Sequence, residues 1–530
     1  MKAKFNYIRN IILPCLIFSS LVGIITSTVV FAFKYVASKI ISFSNELYIF
    51  IRNNKIYLPL AIAIVIILSL ISYAIYKKFK TTRGGGIPTA IGILRGVFTF
   101  SWLPTFFGMI LSSFITFFVG IPLGNEGPSV MLGTSIGRGL TNKCGRKNKA
   151  WNRYIMTGGA CSGFAVATNA PISGIFFALE EAHQRFSPMI IMTACCSVMF
   201  GMVTSEWLSV ATNIDIKLFS ELSIIKIDIF HIWISIAIGI VVGLAAVLFS
   251  KVYALSNYCS NKIKGLKPLK FVLLFLISFF VGIFSLDFIG TGHNLIEKLF
   301  VKDTTPIWYI LMLILIFRTI MTLLSNNEGI TGGLFIPTLT IGAIVSSLLA
   351  TLLVKLNLID ASYYSSIVAI GIACSIASMI KTPITAIIFS IEALGCFNNI
   401  TFVIVGVAIS YIITEIFKVK SINELVIDNR LEKEHKGKSP LVVDTYLEAK
   451  KDCFAIGKSI RDIFWPNNLF VLSITHNENA PVVDSGGGKV ICELDILHIR
   501  FETYNIDYTK EELLNILGEQ EIKLTSPKHI

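Results

Sequence analysis

The chain has 530 residues, 54% of them hydrophobic and only 15% charged, with a net charge of +13. Soluble proteins are roughly 25% charged, so this composition excludes intrinsic disorder, a collagen-like repeat and a soluble nucleic-acid binder. Residues 1–430 hold 17 acidic and 34 basic side chains, net +17, whereas residues 431–530 hold 16 and 12, net −4. A membrane body over 1–430 and a water-soluble tail over 441–530 are therefore expected.

Lys2, Lys4 and Arg9 precede an apolar run, 11–33. The run is too long for a signal-peptide core and lacks a small-x-small cleavage site, so a retained helix is expected. Apolar runs lie near 10–37, 56–76, 102–121, 189–211, 230–256, 270–289, 306–324, 334–355 and 400–417. Each has about the length that a roughly 30 Å hydrocarbon core demands. Between them lie shorter segments broken by Gly and Pro, at 128–140, 155–168, 171–182, 362–379 and 383–395. Broken helices survive at membrane depth only inside protein or along a polar path. The pattern points to a transporter or channel rather than an anchor. Cations cluster in the short loops 77–83, 138–153 and 262–270, as in cytoplasm-facing loops. The ten cysteines include no CxxC, so neither a metal nor a disulfide framework is expected.

The chain also repeats itself. Residues 171–180, Pro-Ile-Ser-Gly-Ile-Phe-Phe-Ala-Leu-Glu, match 383–392, Pro-Ile-Thr-Ala-Ile-Ile-Phe-Ser-Ile-Glu. Gly124 and Pro128 match Gly333 and Pro337, and Gly84-x-Gly86 matches Gly290-x-Gly292. Three matches in one order imply two related halves, a pattern common in secondary transporters.

Residues 47–125 contain no Asp or Glu; then come Glu126, Glu180 and Glu181, with nothing acidic again until Glu206. A carboxylate kept inside membrane segments is a functional candidate. Glu126 lies in Gly124-Asn125-Glu126-Gly127-Pro128, which opens a helix-like run. The amides of such a turn and the positive end of the helix dipole attract anions. A carboxylate there can occupy the anion's place when charged and leave it when protonated; an ordinary solvent-facing cap is the alternative. Gly84-Gly85-Gly86-Ile87-Pro88 and Gly332-Gly333-Leu334-Phe335-Ile336-Pro337 are two further turns of this kind. Converging helix N-termini would hold an anion without a full positive charge and let it leave again.

These turns resemble the signature segments of the CLC chloride channel and transporter family, in order and across nearly all of 1–430. The resemblance implies an all-α polytopic membrane fold of two inverted repeats with broken helices, working as a homodimer with one anion path per subunit. It makes Glu126 the external gating glutamate and Glu181 the internal proton-transfer glutamate, with Glu180 its acidic neighbour. The anion would meet Gly85, Gly86, Ile87, Asn125, Gly127, Leu334, Phe335 and Asn423. Having both Glu126 and Glu181 favours chloride/proton antiport; a passive voltage- or ligand-gated channel of the same fold stays open. Two positions depart from the family: Gly85 stands for a serine, and Asn423 falls where the family has a tyrosine. Tight coupling is thereby in doubt, and export of nitrate or fluoride stays open. Glu328, just before the third turn, adds an acid near the path.

Residues 441–517 alternate β-like runs, at 470–475, 490–492 and 496–501, with turns, ahead of a helix-like end at 510–517. The stretch 454–460, then Pro466, then Glu493-Leu494-Asp495-Ile496-Leu497 resembles the C-terminal ligand-binding subdomain of potassium-conductance regulators, the TrkA C-terminal type. Leu494-Asp495 stands where that family has Gly-Asp. This resemblance implies a small α+β cytoplasmic regulatory unit that pairs and binds a small ligand, cyclic di-AMP in some bacterial members; a module without ligand stays open. A potassium transporter has only the tail in its favour, because no Thr-Val-Gly-Tyr-Gly filter occurs. The seven histidines are scattered, without HExxH, so no enzyme, cofactor, metal site or nucleic-acid partner is expected. The expected place is a bacterial plasma membrane, among lipid, with the tail in the cytoplasm.

Overall fold

The computed structural model describes residues 13–143, 150–215, 218–219, 222, 224–262, 266–301, 307–435, 439–476, 483–484, 486–520 and 525–529. Lys2, Lys4 and Arg9 lie outside the described residues. The first set of helices is α1 (Leu13–Asn53), α2 (Leu58–Lys78), α3 (Gly86–Leu94), α4 (Trp102–Val119), α5 (Glu126–Lys143), α6 (Asn152–Thr168), α7 (Pro171–Phe176) and α8 (Pro188–Thr212). A second set follows in the same order: α9 (Ile232–Lys262), α10 (Lys267–Phe284), α11 (His293–Phe300), α12 (Trp308–Glu328), α13 (Phe335–Lys355), α14 (Tyr364–Ser375), α15 (Pro383–Glu392) and α16 (Ile400–Ile416). Helix α17 (Ile422–Glu434) closes the body. Proline opens α2, α7, α8, α10 and α15 within the first turn, where its missing N–H has no intrahelical acceptor anyway.

Among the described residues, ten helices are long and apolar enough to cross a membrane. Leu60, Val203, Leu248 and Leu313 on their outer faces are exposed, as a hydrocarbon surrounding permits. This is a multi-pass membrane protein. The stretch 362–379, expected to be too short to cross, belongs to an unbroken 20-residue element, Ala361–Ile380. Gly371 does not break it: a Cβ there would lie 2.2 Å from Ser346 Cβ of α13, so the glycine serves helix approach. Helix α14 widens at its end into a π-turn, Ile376–Ile380, as α7 does over Phe177–Ala182.

The two halves are inverted relative to each other. Helices α2 and α10, counterparts in the repeat, run antiparallel. Tyr73 and Tyr76 near the end of α2 meet Phe271 near the start of α10, with ring centroids 5.6 and 5.4 Å apart. Arg52, just before α2, donates from Nε to Ile283 O at the end of α10, at 2.6 Å. The same two-fold logic appears where α7 meets α15. The Glu180 carboxylate accepts from the amides of Ile384 and Thr385 at 2.9 and 2.8 Å. Glu392 accepts from those of Ile172 and Ser173 at 2.7 and 2.9 Å. Each repeat thus caps the other's helix, where negative charge meets the positive dipole end.

The tail is a five-stranded sheet of order β3-β2-β4-β1-β5. Its strands are β1 (Leu441–Glu448), β2 (Leu469–His476), β3 (Val483–Asp484), β4 (Asp495–Thr503) and β5 (Thr525–His529). All pairs are antiparallel. Helix α18 (Ile506–Leu517) starts four residues before the expected 510, because the Asn505 side chain caps the Tyr508 amide at 3.2 Å. The run 490–492 does not form a strand; it gives a single bridge, Ser459 to Val490. Val443, Leu497, Ile499 and Phe501 bury the sheet's inner face against Leu513 and Leu517 of α18.

The tail packs on the body at the start of α6. Arg153 Nη2 meets the Glu512 carboxylate at 2.7 Å, and its Nη1 donates to Trp465 O at 2.7 Å. The Tyr154 hydroxyl donates to Asp462 O. The Phe464 ring lies 4.3 Å from both Tyr154 and His183.

Candidate functional site

Three glycine turns meet at one point. Helices α3, α5 and α13 open at Gly86, Glu126 and Phe335, each followed within three residues by a proline. Gly124 and Gly333 exchange backbone hydrogen bonds of 2.8 and 2.7 Å, an antiparallel bridge between the two repeats. A Cβ at Gly86 would fall 2.0 Å from Gly127 O, and one at Gly127 would fall 2.7 Å from Gly333 Cα. Only hydrogen fits at these positions. The first-turn amides of the three helices have no intrahelical acceptor, so their dipole ends gather at the junction. Thr331 fixes the arrangement, donating its hydroxyl to Thr82 O at 2.8 Å. Gly85, Gly86, Ile87, Asn125, Gly127, Leu334 and Phe335 all belong to these turns.

Glu126 is wholly buried, and neither carboxylate oxygen accepts a hydrogen bond among the described residues. Its carboxylate therefore stands off the junction amides. Its Oε1 lies 3.4 Å from Nε2 of His293. His293 opens α11 directly after Gly290-Thr291-Gly292, the repeat counterpart of the first turn. Lys34 of α1 is also nearby: its charge interacts with Glu126 and Asp215, and its Nζ donates to Ala167 O at 2.6 Å.

Glu181 lies elsewhere, in the buried π-turn Phe177–Ala182; π-turns recur at functional sites. Asn423 at the start of α17 donates its amide to Glu181 Oε1. Asn423 was expected to face the anion; its amide is bonded to the Glu181 carboxylate. Helix α17 is fixed there by Ser421, whose hydroxyl accepts from the Glu424 amide at 3.1 Å. Arg95 at the end of α3 ties three elements together. It donates to the main-chain oxygens of Glu181 and Ala182, both at 2.7 Å, and pairs with Glu424 at 2.5 Å. An aromatic wall joins the two regions: Phe335 meets Phe164 edge-on at 5.1 Å, and Phe164 stacks on Phe177 at 5.2 Å.

Glu180 has its carboxylate committed to capping α15. Glu328, expected near the path, is held by Lys270 Nζ at 2.9 Å and Ser260 Oγ at 2.6 Å, which pins α12 to α9 and α10. Sequence reasoning missed His293, Lys34 and Asn326. The Asn326 Nδ2 is buried without a hydrogen-bond partner among the described residues, 3.4 Å from where a Cβ at Gly85 would lie. The spacing Gly290-x-Gly292 signalled His293; nothing local signalled the other two. Among the described residues no cluster could hold a metal ion.

Residues 67–415 match the profile of the family described as voltage gated chloride channel. The H(+)/Cl(-) exchange transporter ClcA of Salmonella arizonae is 24% identical over 389 residues, 72% of this chain and 81% of that protein. Among solved structures, a slow cyanobacterial Cl-/H+ antiporter superposes with TM-score 0.72 at 23% identity, covering 80% of this chain and 99% of that one. A CLC-type fluoride/proton antiporter superposes with TM-score 0.64 at 22% identity, covering 78% of this chain and 98% of that one.

Proposed function

Because the chain belongs to the voltage-gated chloride channel family, CLC, we propose that it exchanges chloride for protons across the membrane, with Glu126 as outer gate and Glu181 as inner proton carrier. One observation carries this reading: a fully buried carboxylate without a hydrogen-bond donor among the described residues stands beside a junction of helix N-termini. An anion held by the amides of Gly86, Ile87, Gly127, Leu334 and Phe335 needs no cation to balance it. The ionised Glu126 competes with chloride for those amides; the protonated, neutral side chain gives the place up. Protons pass to Glu181 at the tail side, where Asn423 orients the carboxylate and Arg95 fixes its backbone. The relatives' names as proton/chloride exchangers support the pairing of substrates.

Residues 1–430 form the transport body of a homodimer, and 441–530 a cytoplasmic regulatory unit taking a small ligand such as cyclic di-AMP. A second reading, exchange of fluoride or nitrate, is favoured by one feature. Gly85 offers no hydroxyl, and the donor nearest to it is the Asn326 amide.

The test is simultaneous anion and proton flux in proteoliposomes. Glu126→Gln should abolish proton movement while anion flux persists, and Glu181→Val should do the same. Proton pumping by a chloride gradient that survives in Glu126→Gln would end the gate assignment. Equal loss of both fluxes in Glu181→Val would make that residue structural. Parallel chloride, nitrate and fluoride gradients decide the anion.

A further inference from the structure

We propose that His293 is the proton-transfer residue of the outer gate, carrying protons between the aqueous face and the Glu126 carboxylate. This rests on the reading of Glu126 as the gate. A proton cannot reach a carboxylate with 0% exposure unless some group touches both it and water. The His293 side chain is 21% exposed, and its Nε2 is 3.4 Å from Glu126 Oε1.

The ring is held, not loose. Its Nδ1 lies 2.9 Å from Thr291 Oγ1, and the Phe219 ring is 6.1 Å away. Gly292, immediately before it, has φ +110 and lies so close to α13 that a Cβ would sit 2.3 Å from Thr340 Oγ1. The first residue of α11 is thereby clamped against the helix that carries Phe335. The outer side follows from the topology: residues 285–292 follow the end of α10, opposite the end where Lys267 and the tail lie.

The transfer balances simply. Water outside gives a proton to Nε2 while Nδ1–H donates to Thr291. A rotation of the Glu126 side chain brings its oxygen from 3.4 Å into hydrogen-bond range, about 2.7–3.2 Å. The Nε2–H bond then breaks, an O–H bond forms on Glu126, and a neutral imidazole and a neutral carboxylic acid remain. The acid, having lost its charge, yields the junction amides to the anion, and Nε2 is reloaded from outside. Imidazole suits the task because it changes charge within roughly pH 5 to 8.

The charges around the ring come from several elements. The acids are Glu126 of α5, Glu297 one turn along α11, Asp287 in the preceding turn and Asp215 after α8; the bases are Lys34 of α1 and Arg318 of α12. Arg318 donates to the main-chain oxygens of Ile289 and Gly290, both at 2.8 Å. Helix α14 contains no charged residue, and α13 has only Lys355 at its far end.

The experiment compares wild type, His293→Gln and His293→Gly in full-length protein reconstituted in liposomes, with external pH varied. Proton turnover in both variants should fall roughly 10²-fold, the lower range for a positioned proton donor, and its dependence on external pH should flatten. Imidazole added outside should restore turnover in His293→Gly, which a packing role would not allow. Anion flux in the Glu126→Gln background should be the same with and without His293→Gln. Unchanged proton turnover in His293→Gln, or a loss that imidazole does not rescue, would overturn the assignment. If Glu126→Gln stops protons while His293→Gln does not, only the relay fails; if Glu126→Gln leaves protons moving, the gate itself fails.

Discussion

At residue 85 a serine would put its Cβ 3.2 Å from Pro88 Cδ and 3.4 Å from Asn326 Nδ2, contacts that a few tenths of an ångström relieve. The Asn326 amide, buried without an acceptor among the described residues, would gain one in the new hydroxyl. An unmet buried donor costs about 1–3 kcal/mol, so Gly85→Ser is expected to fold at least as stably as the parent. Its hydroxyl proton would face the junction and add a donor to the anion. A net hydrogen bond of about 0.5–1.5 kcal/mol corresponds to chloride binding roughly two- to tenfold tighter. Calorimetric titration of chloride into the purified variant checks this; weaker binding would mean that residue 85 does not face the ion. Glu126 could be picked out by eye because no other acid occurs over 47–125. Asn326 could not, since its neighbour Gly85 lies more than two hundred residues away in the chain. Asn423 shows the limit of alignment by motif: its contact with Glu181 depends on how α17 enters the body.

The helices themselves were readable from their apolar runs, and the repeat from its Pro-to-Glu segments. What lay hidden was the exchange between repeats. The final glutamate of each segment caps the other segment's first turn, and no period in the sequence encodes a contact over 204 or 220 positions. The tail offers a similar case. At Leu494-Asp495, which stands where the resembled family has Gly-Asp, Leu494 adopts φ +67, a left-handed conformation that costs a non-glycine residue roughly 1–2 kcal/mol. Asp495 behind it accepts from the Cys492 amide at 2.7 Å and meets His476 at 2.5 Å. The side chain of Leu494 is 52% exposed, so little packing is lost with it. Leu494→Gly removes the strain and gives back part of that gain as unfolded-chain entropy. A net stabilisation of about 0.5–1 kcal/mol follows. Amides of β4 should then exchange with deuterium two- to fivefold more slowly; faster exchange would show that Leu494 holds the turn by packing.

Across the whole molecule Glu126 and Glu181 stand in separate turns, and the tail packs beside the second of them, against His183. The π-turn that carries Glu181 ends at His183, whose Nε2 is 2.8 Å from Thr157 Oγ1 and whose ring lies against Phe464 of the tail. Arg153, with a side chain 9% exposed, depends on Glu512 and Trp465 O for its charge. Losing one partner of a buried ion pair costs about 3–5 kcal/mol, so the tail and the start of α6 move as one piece. Any displacement of the tail is therefore felt at His183 before it reaches the glycine junction. Phe464→Ala isolates that contact: it removes the ring from His183 and Tyr154 while leaving the Arg153 pair intact. Truncating a buried phenylalanine costs about 3–5 kcal/mol, enough to free the His183 ring. Proton turnover is expected to fall, and anion flux in the Glu181→Val background, which needs no inner proton step, to stay the same. Equal changes in both fluxes would mean that the tail acts on the whole body rather than on the inner carboxylate.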